Sequence, residues 1–248
     1  MALQQAVKDL IPLAAGIFDE IRSASRDIEG VTRPAWSARD QAAGDILLRA
    51  AQQQGLTTRI DAIGNTYATL PGQDKDAPCV LSGSHLDSVS RGGNFDGLAG
   101  AVAGVIALAA IRQAGLVPAC DLTAMGTRCE ESVWFGIAYV GARLAVGAME
   151  RAEFDALVRL DSGKSIAAHM ADLGLEVDAI WRERPEISPA NTKTFLELHI
   201  EQGPLLIEQK TPLGIATAIR GNLRYGDAIC QGAYQHSAAT PRRLRQDT

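Results

Sequence analysis

Apolar residues recur at helical spacing through residues 5–25 and again through 39–54, where Gly55 stands as a C-cap. Between them "GVTRPAW" reads as a loop. Two short strand-like runs follow at 57–61 and 66–70, with "IGN" turning between them. Residues 79–84 form an apolar run suited to a buried strand, and 97–114 a helix rich in Ala, Val and Leu. "CDLTAMGT", 120–127, predicts the next buried strand, and a helix is expected near 134–147. Residues 151–191 read as helical with polar patches, closing in the loop "RERPEISPAN". A strand at 194–200, a short helix after Pro204 and strand-like runs near 213–219 and 226–233 complete the pattern. Buried strands alternating with helices predict an α/β fold: a mixed, largely parallel sheet sandwiched by helices.

Composition narrows the class. The 248 residues suffice for one substantial core, or one domain and part of another. Apolar residues make up 46% and charged residues 21%, which is ordinary for a globular chain. The longest apolar stretch, Leu98–Ile111, is broken by Gly100 and Gly104 and is too short to span a bilayer, so no membrane partner is expected. The N-terminus carries Lys8 and Asp9 but neither the basic start nor the cleavage site of a signal peptide. A net charge of −5 argues against a nucleic-acid partner, and the one basic cluster, Arg242, Arg243 and Arg245, reads as a solvated face. Cys79, Cys120, Cys129 and Cys230 are far apart and form no C-x-x-C pair, so free thiols in the reducing cytoplasm are expected. Trp36, Trp134 and Trp181 are read as core or rim residues.

The chemistry concentrates in "GSHLDSVSRGGNFDGLAG", residues 83–100. Its glycines match neither a P-loop nor a dinucleotide fingerprint, and they are explained by turn geometry around Asp96. What the stretch offers is an imidazole, His85, and two carboxylates, Asp87 and Asp96, which is the donor set of a metal site. The His85–Asp87 spacing suits a ligand and the partner that orients it through a hydrogen bond. "RCEES" places Glu130 and Glu131 directly after a buried strand; one can bind metal while the other accepts a proton from water. "ELHIEQGP" sets His199 at a strand end, with Glu197, Glu201 and Gln202 nearby. Each cluster follows an apolar strand, and ligands in such sheets gather at the strands' carboxyl ends, so the three can converge.

Four segments, "GSHLDSVSRGGNFDGLAG", "RCEESVWF", "FLELHIEQGP" and "HSAATPRRLRQD", resemble the allantoate amidohydrolases and N-carbamoyl-L-amino-acid hydrolases, of the di-metal aminoacylase and carboxypeptidase superfamily. They occur in the family's order, from Gly83 to Asp247. The resemblance implies a zinc-peptidase-like catalytic domain over 1–212, incomplete here, and the start of a small α+β lid domain over 213–248. It implies two divalent metal ions, zinc or manganese with cobalt or nickel also suited. His85, a bridging Asp96 and His199 would form one position, and Asp96 with Glu131 would begin the other. Glu130 would be the general base, Asp87 the partner of His85, and Gln202 a substrate contact. His236, on the lid, would stabilise the developing oxyanion, in the family often from the partner subunit of a homodimer.

Two features depart from the family's pattern. The further histidine and the lid arginine of the family lie beyond residue 248, so the chain is expected to be truncated, with its second metal position one ligand short. His169 matches no family motif and reads as a surface or packing residue. The activity implied is metal-dependent hydrolysis of a linear amide C–N bond in a small ureido acid, in the cytoplasm. An aminoacylase or dipeptidase of the same superfamily and a truncated non-catalytic remnant are the alternatives.

Overall fold

Among the described residues, five strands form one mixed sheet in the order β1-β2-β4-β3-β5. They comprise β1 (Thr57–Ile60), β2 (Thr66–Leu70), β3 (Cys79–His85), β4 (Leu122–Thr127) and β5 (Thr192–Leu196). β1, β2 and β4 pair antiparallel, whereas β3 lies parallel to both β4 and β5. The computed structural model describes residues 2–182, 184–218 and 241. Residues 1–200 form one compact unit and 201–248 another.

Period-two alternation assigns the sheet's two faces. Ala68, Leu70 and Ala124 enter one apolar cluster with α1 (Ala2–Asp9), α2 (Ile11–Ser25), α3 (Ala38–Gln53) and α4 (Leu98–Gln113). Tyr67, Leu81 and Met125 enter the other, with Trp36, Trp134, Phe154 and Met170. Helices thus cover both faces, as an α/β chain requires. α4 lies close to the sheet because Gly104 carries no side chain: a Cβ there would stand 3.1 Å from that of Ala124. Its Leu98, Ala101 and Val102 are almost fully buried. Each large apolar side chain buried in this way contributes about 1.5–3 kcal/mol. No helix among the described residues is long and apolar enough to cross a membrane.

Several elements differ from the sequence expectation. The helix over 5–25 is two helices, broken at Leu10, because Pro12 has no N–H for the preceding turn and its ring crowds that turn's carbonyl. Only α5 (Val140–Ala145) forms within 134–147: Gly136 at φ +76° and Tyr139 at φ +62° turn the chain left-handed. The 151–191 region holds three short helices, α6 (Arg151–Asp155), α7 (Ile166–Asp172) and α8 (Ala179–Arg182). β5 begins two residues early and ends at Leu196, leaving 197–200 beyond its ladder. In the second unit α9 (Leu205–Glu208) follows Pro204 as expected, but 213–218 carries no strand. The run at 226–233 lies outside the described residues.

Candidate metal centre

His85 ends β3, the strand flanked on both sides by parallel neighbours. Gly97, at φ +65°, lies against its ring: any Cβ there would overlap three imidazole atoms. His85 Nδ1 is 2.9 Å from the backbone carbonyl of Asp87. A proton donated there leaves the Nε2 lone pair facing inward, 3.9 Å from both Asp96 Oδ1 and Glu130 Oε2. His199 repeats the device. Its Nδ1 is 2.9 Å from the Ile200 carbonyl, and its Nε2 lies 3.3 Å from the same Asp96 oxygen. The two imidazoles stack with centroids 5.7 Å apart.

The carboxylates arrive on a turn held from several sides. Cys129 takes φ +52° directly after β4, which swings Glu130 and Glu131 toward His85. The carbonyls of Arg128, Cys129 and Glu130 accept the N–H groups of Gly141, Val140 and Tyr139. Gly141 permits that approach, since a Cβ would overlap the Arg128 carbonyl. Beneath the turn the buried Asp87 carboxylate accepts the N–H groups of Glu130 at 3.0 Å and Glu131 at 3.1 Å. Asp87 therefore orients His85 with its backbone carbonyl, while its side chain, 3.7 Å from Nδ1, anchors the glutamate pair. A side-chain bond to His85 is what the spacing suggests; the buried N–H groups of the turn occupy that carboxylate instead.

Burial pushes the Asp87 carboxyl up to about 8, with the Asp40 charge adding to the effect and the two N–H bonds opposing it. Burial likewise pushes Glu131 up to about 7; His85 opposes this, and Glu130, Asp87 and Asp96 add to it. Acidic groups so crowded favour a cation among them.

Two donor groups result among the described residues: His85, Asp96 and His199, and His85, Glu130 and Glu131. Within each, the ligand atoms lie within 4.8 Å of one another. A tetrahedral ion with bonds of about 2.0–2.2 Å spaces its ligands by about 3.3–3.6 Å. From Asp96 Oδ1, His199 at 3.3 Å falls in that span and His85 at 3.9 Å lies just beyond it, and the imidazole and carboxylate donors present suit a divalent ion. The second group joins Glu131 to Glu130 and His85 rather than to Asp96.

Known proteins are similar to this chain in sequence and in fold. The chain is 35% identical over 240 residues to an N-carbamoyl-L-amino-acid amidohydrolase of Paenarthrobacter aurescens, covering 94% of this chain and 57% of that protein. It is 33% identical over 195 residues to an allantoate amidohydrolase of Bacillus subtilis, covering 78% and 45%. A hydantoinase/carbamoylase family amidase from Burkholderia ambifaria matches with a TM-score of 0.68 at 28% identity, over 79% of this chain and 48% of that one. The chain is homologous to the hydantoinase/carbamoylase family of amidases. It spans about half the length of the curated relatives it matches, and no protein-family model matches it.

In this carbamoylase-like chain the remaining sequence candidates fall in different places. Gln202 belongs to the second compact unit, and His236 lies outside the described residues. His169 is a packing residue: buried, 2.8 Å from Ser162 Oγ and edge-on to Phe135. Trp36 and Trp134 are core residues whose ring N–H groups donate to the carbonyls of Ile63 and Ser88. Cys79, Cys120 and Cys129 are free thiols.

Sequence reasoning missed a buried support beneath the glutamates. Arg128, fully buried, donates through Nε to the Gly64 carbonyl and through Nη2 to Gln41, and its Nη1 pairs with Asp40 at 2.8 Å. Asp40 in turn accepts the Trp36 N–H. The available signal was an arginine directly before "CEES", where exposed basic residues are the ordinary expectation.

Proposed function

We propose that this chain carries the metal-binding part of an amidohydrolase that cleaves the linear amide C–N bond of a ureido acid, an N-carbamoyl-L-amino acid or allantoate. The convergence of His85, Asp96 and His199, with Glu130 and Glu131 beside them, carries this reading. His85, Asp96 and His199 would hold one divalent ion, and Asp96 with Glu131 would contribute to another. Mixed imidazole and carboxylate donors suit zinc or manganese. Such ions polarise a carbonyl and bring the pKa of water near neutrality.

Glu130 is the general base. Its carboxylate is partly open to solvent, at 30% exposure, and stands 3.9 Å from His85 Nε2, where an attacking water would lie within reach. Having taken the proton, it returns it to the leaving nitrogen, so that an N-carbamoyl amino acid and water give the free amino acid, carbon dioxide and ammonia. Asp87 fixes the backbone on which that base sits. Gln202 and His236 are assigned to the substrate, His236 from the partner in a homodimer. The domain division at 212/213 and a cytoplasmic site of action complete the proposal.

The test is Glu130→Gln in purified protein supplied with Mn²⁺ or Zn²⁺. Turnover should fall by about 10²–10⁴-fold, the usual worth of a positioned base, with metal content by elemental analysis unchanged. Parallel assays on N-carbamoyl-L-amino acids, allantoate and N-acetyl amino acids fix the substrate class; turnover confined to N-acetyl substrates would make it an aminoacylase. Bound metal without turnover of any of them would mark a non-catalytic remnant.

A further inference from the structure

We infer that Glu197, through its hydrogen bond with Ser84, is the positioning residue that sets the spacing of His85 and His199. The inference rests on the metal centre proposed above. The parallel ladder of β3 and β5 ends at the pair Ser82 and Leu196. Each histidine lies three residues further along the chain, so the two side chains that must share an ion sit beyond the last pairing between β3 and β5; His85 is still held by its pairing with Thr127 on β4, whereas His199 has no such partner in the β3–β5 ladder. Without another tie, chain segments past a ladder's end separate, because no cross-strand hydrogen bond opposes their twist.

The tie is a side-chain bond. Ser84 Oγ donates to Glu197 Oε1 at 2.6 Å, within the short range of hydroxyl–carboxylate bonds. Ser84 itself is fixed: it is 2% exposed, sits opposite Gly126 on β4, and has its Cβ against Gly100 of α4. Gly100 also lies against the Leu198 carbonyl, where any Cβ would overlap it. The residues on either side of Leu198 are therefore Glu197, bound to Ser84, and His199, facing Asp96. Glu197 belongs to neither donor group, so its carboxylate acts through geometry and not as a ligand.

Cobalt titration of the metal-free chain, read by the visible absorption of bound Co²⁺, tests the inference. Four variants are compared with the parent: Glu197→Ala, Ser84→Ala, the double variant, and Glu197→Gln, which keeps an oxygen to accept the Ser84 hydroxyl. Glu197→Ala and Ser84→Ala should each weaken Co²⁺ binding by about 10–100-fold, the usual worth of a residue that orients ligands. The double variant should bind no worse than the weaker single, because both remove one shared bond. Glu197→Gln should stay within about threefold of the parent and keep its spectrum, with metal-free melting temperatures of the two Glu197 variants alike.

Parent-like binding by Glu197→Ala would overturn the positioning role and leave the metal centre standing. Loss in Glu197→Gln equal to that in Glu197→Ala would overturn it too, since charge or ligation would then be the cause. A parent chain that gives no Co²⁺ spectrum would sink the metal centre, and this inference with it.

Discussion

His169 shows how one side chain can look like chemistry and serve packing. Its Nε2 faces the Ser162 hydroxyl, whose oxygen also lies 3.3 Å from the Lys164 N–H. Burial depresses its pKa, the charges of Arg159 and Lys164 add to the effect, and Asp161 and Asp172 oppose it. A base whose folded pKa is lowered stabilises the fold in its neutral form. That contribution is present above the unfolded value of about 6.5 and is lost as pH falls through it, because the unfolded chain then binds more protons. Unfolding in urea at pH 5 and 7.5 should therefore show the parent losing stability on acidification relative to His169→Gln, by at most about 1.4 kcal/mol per pH unit. A stability difference that does not change with pH would remove the titration from the account. At this scale the sequence exposed His85, Asp96, Glu130, Glu131 and His199, because metal-ligating residue types after apolar strands are conspicuous. It concealed the roles of Ser84, Glu197, Arg128 and Asp40, which depend on partners 64 to 113 positions away or on burial that only the fold supplies.

Among elements, the contact of α4 with the chain beyond β5 governs where His199 stands. Gly100→Ala places a methyl group against the Leu198 carbonyl and the Ser84 Cβ, both backbone or buried, so neither can give way cheaply. We expect the metal-free protein to lose about 1–3 kcal/mol of stability, and the rise in melting temperature on adding Zn²⁺ to shrink. An unchanged Zn²⁺-induced rise would mean that α4 does not position the histidine. Elements whose burial is decided locally were legible before the structure: α3 from its periodicity, and β2, β3 and β4 from apolar runs between turn residues. The stretch 134–147 was not, because its apolar spacing is helical while Tyr139, at φ +62°, takes a backbone conformation that sequence pattern does not report. The end of β5 was also concealed, since a ladder ends where its partner's pairing ends, and "FLELHI" remains strand-like past that point.

For the first compact unit as a whole, both edge strands of the sheet are largely exposed. β1 forms one edge and β5 the other, and among the described residues β5 pairs only with β3. Phe195 stands opposite Leu81, on the face of the second apolar cluster, and Leu196 opposite Ser82, on the other face. Both are exposed, at 44% and 58%, as are Leu198 and Ile200 just beyond. An open strand edge flanked by apolar side chains on both faces is a template for pairing with another chain. Lys193 is the sole charged residue on β5, so electrostatic repulsion opposes that pairing weakly. The chain should accordingly self-associate in a concentration-dependent manner, seen by sedimentation velocity. Phe195→Lys should shift it toward the monomer while leaving Co²⁺ binding within about threefold, because the substitution lies four residues from His199 and adds charge to the edge alone. Leu116→Lys, a similarly exposed apolar position outside β5, serves as the control. Equal effects of the two substitutions would assign the association to general surface hydrophobicity and not to the strand edge.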